Sequence, residues 1–343
     1  MSDIRHDRVH GTHVIIAPER LHRPHCYGDE EKKEVIKEEH CPFCEGNESM
    51  TPSEIFAIRE KGSLPNKKGW KTRVVPNLYK AVQIEAPYEH HYGFFERWEG
   101  YGAHELIIDT PEHHTSMTQW SESAVVQWLK TLRARVSDLR KDERIAYISL
   151  FKNEGSEAGA SQQHSHTQLI GLPIVPKLLR ERYQRSYEYY KHNVSALLES
   201  EIVHEEASNE RIVAKQGAFT AYCPYASAYP FEVMISSKRS LGQIDTLHDD
   251  AIAEVAPLLL TILKNMKKQL GCFTFNLSIS TPPLQGNTFE YDILSHTDEM
   301  CRFSIRIMPR LYHLAGFEVS TGVNINPVAP EHAAKLLRES NDG

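Results

Sequence analysis

Three features that would point to common classes of protein are missing from this sequence. No apolar run approaches the length of a membrane-spanning helix, and residues 1–5 do not begin a signal peptide. Six cysteines spread irregularly over 343 residues do not form a disulfide framework. Positive charge is not in excess either, because the formal net charge is −7, which argues against a general nucleic-acid binder. These absences predict a cytoplasmic protein without a membrane or nucleic-acid partner.

The composition is that of an ordinary soluble globular protein, with 40% hydrophobic and 25% charged residues. A chain of this length predicts one large domain or two intimately packed halves. Strand, turn, helix, strand, loop and strand are predicted in residues 103–173, and the same order follows residue 217. We therefore predict an internal duplication with halves at residues 1–203 and 217–343. Within the first half, residues 177–203 predict one long helix.

The most informative stretch, residues 145–176, predicts a strand, a loop of small residues and a second strand. In the second strand His164, His166 and Gln168 alternate, so an extended backbone places all three side chains on one face. Two imidazoles and a carboxamide beside a glycine-bearing loop suit a phosphate ester. In such a site one histidine would attack phosphorus, and the glutamine would donate a hydrogen bond to a phosphoryl oxygen. Backbone amides of the loop would hold the remaining charge of the anion. The alternative is a polar edge strand with two incidental histidines.

A CxxC motif at Cys41 and Cys44 predicts a zinc knuckle. A redox-active dithiol is the alternative, but no βαβ pattern surrounds the motif. Two thiolates leave a tetrahedral zinc site two ligands short. The candidates for these ligands are His113 or His114, and His164.

Further polar residues are candidates for binding an anion or a nucleotide. Arg20 and Arg23 lie in a turn and suit bidentate phosphate contacts, although two solvated surface arginines are the simpler alternative. Asn77 follows a strand and a proline, in a turn that offers an amide to a nucleotide. Arg302 and Arg306 share one face of a predicted strand, directed either to an anion or to solvent.

Taken together, these motifs resemble the galactose-1-phosphate uridylyltransferase branch of the histidine-triad superfamily over nearly the whole chain. The resemblance implies an α+β fold, a duplicated histidine-triad-like fold with two mostly antiparallel sheets and helices packed on them, in a homodimer. It rests on residues 20–24 (RLHRP), 41–44 (CPFC), 76–77 (PN), 111–113 (PEH), 151–155 (FKNEG), 159–161 (GAS) and 164–168 (HSHTQ).

The resemblance also implies roles for individual residues. His166 would be the nucleophile of a ping-pong nucleotidyltransferase and would form a nucleotidyl-histidine intermediate. The other implied roles are phosphoryl contacts from Gln168 and Ser161, a phosphate pocket lined by Asn153 and Gly159, a nucleotide contact from Asn77, and structural zinc ligands in Cys41, Cys44, His113 and His164.

The sequence departs from the uridylyltransferases where those enzymes bind substrate. Asn324 ends a Gly-Val-Asn segment that stands in place of the hexose-binding Gly-Tyr-Glu, and Ser304 and Arg306 replace a His-x-His metal pair of some members. HSHTQ together with GFExxTGxxINP is more similar to the adenylyl-transferring members, ADP-glucose phosphorylase and adenylylsulfate:phosphate adenylyltransferase. These use phosphate to release ADP.

We therefore predict adenylyl transfer between an ADP-linked donor, adenylyl sulfate or ADP-glucose, and phosphate. Arg20, Arg23, Arg306 and Asn324 are predicted to contribute to substrate binding. Two enzymatic alternatives are exchange between UDP-glucose and hexose 1-phosphate, and nucleotide hydrolysis. A zinc-stabilised module that binds nucleotides without turnover is the alternative outside the enzymes.

Overall fold

The computed structural model describes residues 2–22, 38–113, 116–284 and 291–340, without the side chains of residues 21, 22 and 291. Arg23 and His114 therefore lie outside the described residues. The described strands are β1 Asp3–Asp7, β2 Thr12–Ile16, β3 Phe56–Arg59, β4 Trp70–Pro76, β5 His90–His91, β6 Arg97–Trp98, β7 Ala103–Ile108, β8 Tyr147–Glu154, β9 His166–Leu172, β10 Ile212–Gln216, β11 Phe219–Tyr222, β12 Val233–Ser237, β13 Phe275–Ile279, β14 Ser304–Pro309 and β15 Asn324–Asn326. The described helices are α1 Glu122–Leu139, α2 Lys177–Asn193, α3 Leu197–Ser208, α4 Asp249–Leu270, α5 Tyr291–Ser295, α6 Thr297–Met300, α7 Gly316–Thr321 and α8 Pro330–Glu339.

These elements confirm the α+β class with mostly antiparallel sheets. Ten strands form one sheet in the order β10-β11-β12-β14-β13-β8-β9-β7-β4-β3, and every pairing in it is antiparallel. The two sheets that we expected, one in each half, meet edge to edge where β8 pairs with β13. Asn153 stands opposite Asn276 in that central pair. A smaller sheet has the order β1-β2-β15.

The strand order is the same on the two sides of the central pair. It runs β8-β9-β7-β4-β3 on one side and β13-β14-β12-β11-β10 on the other. A long helix joins the matching strands, α1 between β7 and β8 and α4 between β12 and β13. This is the arrangement that the predicted duplication requires. Residues 1–203 and 217–343 stay our predicted halves, and β10, which precedes residue 217, pairs with β11 of the second half.

The main core lies between one face of the sheet and helices α1 and α4. The α1 stripe predicted from helical spacing is buried, with Val125, Leu129 and Leu132 fully inaccessible to solvent. Burial of each such side chain contributes about 1.5–3 kcal/mol. Ser121 begins α1, because its side chain accepts a hydrogen bond from the amide of Ala124. Among the described helices, none has the length and apolar character needed to cross a membrane.

Helix α2 packs on the opposite face of the sheet. Its Tyr183 hydroxyl donates a 2.9 Å hydrogen bond to the carbonyl of Thr281. The single long helix predicted for residues 177–203 is wrong, since α2 ends at Asn193 and α3 begins at Leu197. The break lies at Val194, whose φ of 54° is left-handed and therefore ends the helix.

A row of side chains crosses this second face from one half to the other. The strand register sets Gln168 opposite Phe151, Phe151 opposite Ser278, and Ser278 opposite Arg306. Directly opposed residues on neighbouring strands project from the same face of a sheet. Three strand spacings separate the backbone of Gln168 from that of Arg306 by about 14 Å. Residues of both halves therefore share one surface.

Candidate active site

The two cysteines and two of the candidate histidines come together beside β9. Cys41, Cys44, His113 and His164 each offer a ligand atom, and these atoms all lie within 4.8 Å of one another. The Nδ1 atom of His164 lies 3.6 Å from the sulfur of Cys41 and 3.6 Å from that of Cys44. A tetrahedral metal ion holds its sulfur and nitrogen ligands about 3.5 Å apart. The donor set and its spacing therefore fit a structural metal centre.

Hydrogen bonding prepares His164 to be a ligand. Its Nε2 lies 2.8 Å from the carbonyl oxygen of Thr110, and a carbonyl only accepts, so Nε2 carries the hydrogen and donates it. Nδ1 therefore keeps its lone pair on the side of the cysteines, which is the usual arrangement of a metal-binding histidine. Strand β9 begins only at His166, so His164 precedes the extended segment. The extended backbone that the predicted shared face requires therefore holds for His166 and Gln168 and does not extend to His164.

The burial of this cluster determines the protonation states of its side chains. Burial lowers the pKa of His164 to about 4, so that its imidazole is neutral at physiological pH. Burial and the adjacent Cys41 thiol raise the pKa of Cys44 to about 12. A bound divalent cation reverses this effect, because it favours the thiolate form of its ligands.

His166 opens β9 and is buried, with 4% of its surface exposed. Its Nδ1 lies 2.9 Å from the carbonyl oxygen of His164, so Nδ1 carries the hydrogen and donates it. Nε2 then holds the free lone pair, and it makes no hydrogen bond to any described residue. The ring of His166 lies 5.7 Å from the ring of Phe43, a residue between Cys41 and Cys44 in the sequence. The geometry therefore fixes the tautomer that suits a nucleophile.

Burial, together with the nearby charge of Lys152, holds the pKa of His166 below its ordinary value of 6.5. The hydrogen bond to His164 and the charge of Asp109 act in the opposite direction but do not cancel this shift. A neutral imidazole is the nucleophilic form.

Gln168 lies next to His104, a residue that sequence reasoning missed. The amide of Ala81 donates to Nδ1 of His104, so the hydrogen of the neutral ring is on Nε2. The Nε2 hydrogen is donated to Oε1 of Gln168 at 3.2 Å, and the side-chain nitrogen of Asn77, which is also a donor, lies 2.9 Å from Nε2. His104 thus links two predicted site residues and leaves the amide hydrogens of Gln168 available. The pairing of β7 with β9 creates this contact, and no local sequence signal indicates it.

The loop between β8 and β9 depends on two glycines with left-handed backbones, Gly155 at φ 87° and Gly159 at φ 86°. A side chain at residue 155 would also collide with Thr274. Asn153 is held at the base of the loop, where its Oδ1 accepts a 2.9 Å hydrogen bond from Asn276. Ser161 is exposed in the same loop.

A buried ion pair supports the backbone behind His166. The Lys152 ammonium is fully buried and lies 2.9 Å from Asp109, 2.7 Å from Ser165 Oγ and 3.3 Å from the carbonyl of His166. Sequence reasoning missed Lys152 and Asp109 as well. The available signal was a lysine at an inward position of an apolar strand, because such a residue requires a buried partner.

The remaining candidates lie elsewhere. Arg20 is exposed on the short helix of residues 18–22. Arg306 and Asn324 line a cavity of 540 Å³ whose walls do not include His166, Gln168 or Ser161.

Comparison with known proteins decides the family. The galactose-1-phosphate uridyl transferase N-terminal domain family matches residues 1–176. ADP-glucose phosphorylase of Arabidopsis thaliana is 30% identical over 341 residues, which cover 98% of this chain and 92% of that protein. The chain belongs to the galactose-1-phosphate uridylyltransferase family. The family match includes the Cys and His cluster and His166, whereas Arg306 and Asn324 lie beyond it.

A second relative and a solved structure agree with this assignment. Galactose-1-phosphate uridylyltransferase of Thermotoga maritima is 25% identical over 317 residues, covering 88% of this chain and 89% of that protein. The crystal structure of the Arabidopsis thaliana ADP-glucose phosphorylase with bound ADP-glucose matches with a TM-score of 0.81 and 29% identity over 99% of each chain. The chain is therefore a nucleotidyltransferase.

Proposed function

We propose that this enzyme transfers an adenylyl group between an ADP-linked donor, ADP-glucose or adenylyl sulfate, and phosphate through a nucleotidyl-His166 intermediate. The observation that carries this proposal is the tautomer of His166, whose Nδ1 is committed to the carbonyl of His164 at 2.9 Å. The lone pair on Nε2 is then directed away from that hydrogen bond and is available for attack on phosphorus.

In the first half-reaction, Nε2 of His166 attacks the α-phosphorus of the donor. The phosphorus–nitrogen bond forms while the bond to the bridging oxygen breaks, and glucose 1-phosphate or sulfate leaves with that electron pair. In the second half-reaction, an oxygen of inorganic phosphate attacks the same phosphorus. The phosphorus–nitrogen bond breaks, ADP is released, and the lone pair returns to Nε2.

We assign the stabilisation of the transferred group to residues beside His166. The amide hydrogens of Gln168 would contact a phosphoryl oxygen, because His104 occupies its Oε1 at 3.2 Å. Ser161 and the backbone at Gly159 would contact the neighbouring phosphate, with Asn153 at the base of that pocket. Asn77, next to His104, would contact the nucleotide. Arg20 and Arg23 are proposed to meet the phosphates of the bound donor.

We assign the cluster of Cys41, Cys44, His113 and His164 to a structural zinc ion. Two thiolates and two imidazoles are a common zinc donor set, and their spacing supports this choice. Zinc with four protein ligands has no open coordination position, so its contribution is to cross-link the chain. His164 lies two residues before His166, and holding it restricts the segment that carries the nucleophile.

We further propose that the enzyme is a cytoplasmic homodimer. The exposed aromatic residues of the β5–β6 hairpin support a contact with a second copy, since Tyr92 is 83% exposed, Phe94 95% and Phe95 88%. None of the five described cysteines forms a disulfide, which suits a reducing compartment.

The adenine base and the ADP-linked donor are supported by the 30% identity to ADP-glucose phosphorylase over 98% of the chain. Uridylyl transfer between UDP-glucose and hexose 1-phosphate is the second candidate. The 25% identity to the Thermotoga maritima uridylyltransferase favours it, over 88% of the chain.

A donor and acceptor screen tests the proposal. The enzyme is mixed with ADP-glucose, adenylyl sulfate or UDP-glucose, each with phosphate or with galactose 1-phosphate, and the nucleotide products are separated by chromatography. We expect ADP from ADP-glucose or adenylyl sulfate only when phosphate is present. Faster exchange of UDP-glucose with galactose 1-phosphate would establish uridylyl transfer instead. AMP formed without phosphate would indicate a hydrolase, and no turnover with any donor would indicate a binding module.

A further inference from the structure

A second site candidate lies in the other half of the protein, on the sheet face that carries Gln168. A cavity of 540 Å³ is enclosed between β8, β13 and β14, helix α2 and the start of the chain. The row from Gln168 through Phe151 and Ser278 ends in this cavity at Arg306. Arg306 follows the first residue of β14 by two positions, as Gln168 follows the first residue of β9. The cavity thus occupies the position in the second half that His166 and Gln168 occupy in the first.

The charges that line this cavity have one sign. Arg182, Arg306 and Lys177 line it, and no Asp or Glu of the described chain does. The volume lies in the range of sites for small organic ligands, which is about 300–1,000 Å³. The charge of this lining suits an anion, and the volume of the cavity suits one larger than a water molecule.

Arg306 is held in place and still has hydrogen-bond donors to offer. Its Nε donates a 2.6 Å hydrogen bond to Oε1 of Glu232, while the other Glu232 oxygen accepts from the amides of Ala228 and Tyr229. Glu232 is 2% exposed, so this support is rigid. The two terminal amino groups of Arg306 have no hydrogen-bond partner among the described residues. This is the arrangement of a positioned arginine that binds an oxyanion with two parallel hydrogen bonds.

Arg182 supplies a second guanidinium group from α2. It is half-buried, makes no ion pair with a described carboxylate, and lies 5.7 Å from the centre of the Tyr183 ring. Burial and the charges of Arg306 and Arg182 hold the pKa of the neighbouring His10 below its ordinary value, although Asp7 bonds its Nδ1 at 2.8 Å. Of the two arginines, Arg306 is paired with Glu232, whereas Arg182 forms no ion pair with a described carboxylate.

Hydroxyl groups complete the lining between the two arginines. Ser149, Ser278 and Ser304 stand on three neighbouring strands and contribute hydroxyls to the wall, and Thr12 contributes another. Hydroxyls bind both phosphoryl oxygens and the alcohol groups of a polar ligand.

We propose that this cavity binds a small hydroxylated phosphate monoester, with the phosphoryl group between Arg182 and Arg306 and the organic part along the serine-lined wall. This site is separate from the proposed adenylyl site, and its ligand makes no covalent bond to the protein. The second half thus retains the place of the site but holds an anion without a covalent step.

The first experiment locates the anion. Crystals of the full chain are soaked in tungstate, a heavy-atom substitute for phosphate, and anomalous maps are calculated for the wild type, Arg182→Gln and Arg180→Gln. Arg180 is an exposed arginine on the same helix and is the matched control. We expect a peak between Arg182 and Arg306 in the wild type and in Arg180→Gln, and none in Arg182→Gln. A peak only beside His166, or no peak, would overturn the proposal.

The second experiment identifies the chemical class by calorimetric titration with glycerol 3-phosphate, inorganic phosphate and glycerol. Glycerol 3-phosphate should bind most tightly, and Arg182→Gln should weaken its binding at least about tenfold, because a charge-assisted contact is lost. Arg182→Lys should recover part of this loss, since the charge is retained. Equal binding of phosphate and its ester would rule out an organic ligand. Unchanged binding of glycerol 3-phosphate to Arg182→Gln would contradict the proposed site.

Discussion

The two halves of the ten-stranded sheet have the same strand order but different chemistry at matching positions. Strand β9 begins with His166 and carries Gln168, whereas β14 begins with Ser304 and carries Arg306. The Cys and His cluster lies beside β9, and the described residues hold no such cluster beside β14. This difference indicates that strand order determines where a site forms. The identity of two or three side chains then determines whether the site suits a covalent step or the binding of an ion.

The packing behind the two strands differs as well. Lys152 and Asp109 form a buried ion pair behind β9. On the same face of the sheet, the second half has Leu277, Ile305 and Ile307, which are buried and apolar. A buried ion pair costs desolvation energy that apolar packing does not. The first half therefore carries a costly support at the position where the nucleophile must be held.

The sharpest test of this asymmetry is removal of the imidazole from the first half. His166→Ala should lower the rate of adenylyl transfer by a factor on the order of 10⁴ or more, because the covalent route is lost. The measurement is phosphate-dependent release of ADP from ADP-glucose. His248→Ala, which removes an exposed histidine of the second half, should leave this rate unchanged. Full activity in His166→Ala would contradict the proposed difference between the two halves.

Loss of a metal ligand should affect stability through the first half alone. Cys44→Ser should abolish metal binding and lower the midpoint of thermal unfolding by at least about 5 °C, since a structural metal contributes folding energy. Mass spectrometry of bound metal and calorimetry measure the two effects. Cys272→Ser, at an exposed cysteine of the second half, is the matched control. A Cys44→Ser protein that keeps its metal would contradict the assignment.

The buried lysine gives a smaller effect. Lys152→Met leaves Asp109 buried without a cation and should lower the free energy of unfolding by about 3–5 kcal/mol. Leu277→Met changes the residue opposite Lys152 across the central strand pair and should cost less than about 1.5 kcal/mol. Chemical denaturation of both variants measures the difference. Equal costs would show that the two halves are supported in the same way.

The last predicted effect depends on pH and concerns Glu201 of α3. Burial and the charge of Asp7 raise its pKa to about 8 in the folded protein, whereas the ordinary value is 4.5. Between these values the folded chain keeps a proton that the unfolded chain has released, so the stability of the wild type falls as pH rises. Glu201→Gln removes this pH-dependent contribution to the free energy of unfolding. From pH 5 to pH 8 the variant should therefore gain about 3.5 kcal/mol relative to the wild type.

Denaturation curves of the Glu201→Gln protein and the wild type at several pH values measure this gain. Asp250→Asn, at an exposed residue near the start of α4, is the control for a general charge effect. A stability difference that does not change with pH would contradict the raised pKa of Glu201.

The sequence predicts those features that depend on local spacing. Helical periodicity indicates the buried face of α1, and alternation places Gln168 on the same face of β9 as His166. The break between α2 and α3 escapes prediction because it requires a left-handed valine at residue 194, which local preference disfavours.

Contacts that depend on strand register are the other part that cannot be predicted from one sequence. His104 meets Gln168 and Lys152 meets Asp109 only because β7, β8 and β9 pair as they do. The same holds for the row that ends at Arg306, since it requires the pairing of β8 with β13 across the two halves. A separation of more than 100 residues along the chain carries no local signal of such a pairing.

The most direct measurement of the central claim is to trap the intermediate. The enzyme is incubated with ADP-glucose labelled at the α-phosphorus in the absence of phosphate, digested under alkaline conditions, and its peptides are sequenced by mass spectrometry. We predict label on His166 that is released as ADP when phosphate is added. Label on any other residue, or no label on a protein that still turns over, would contradict the account.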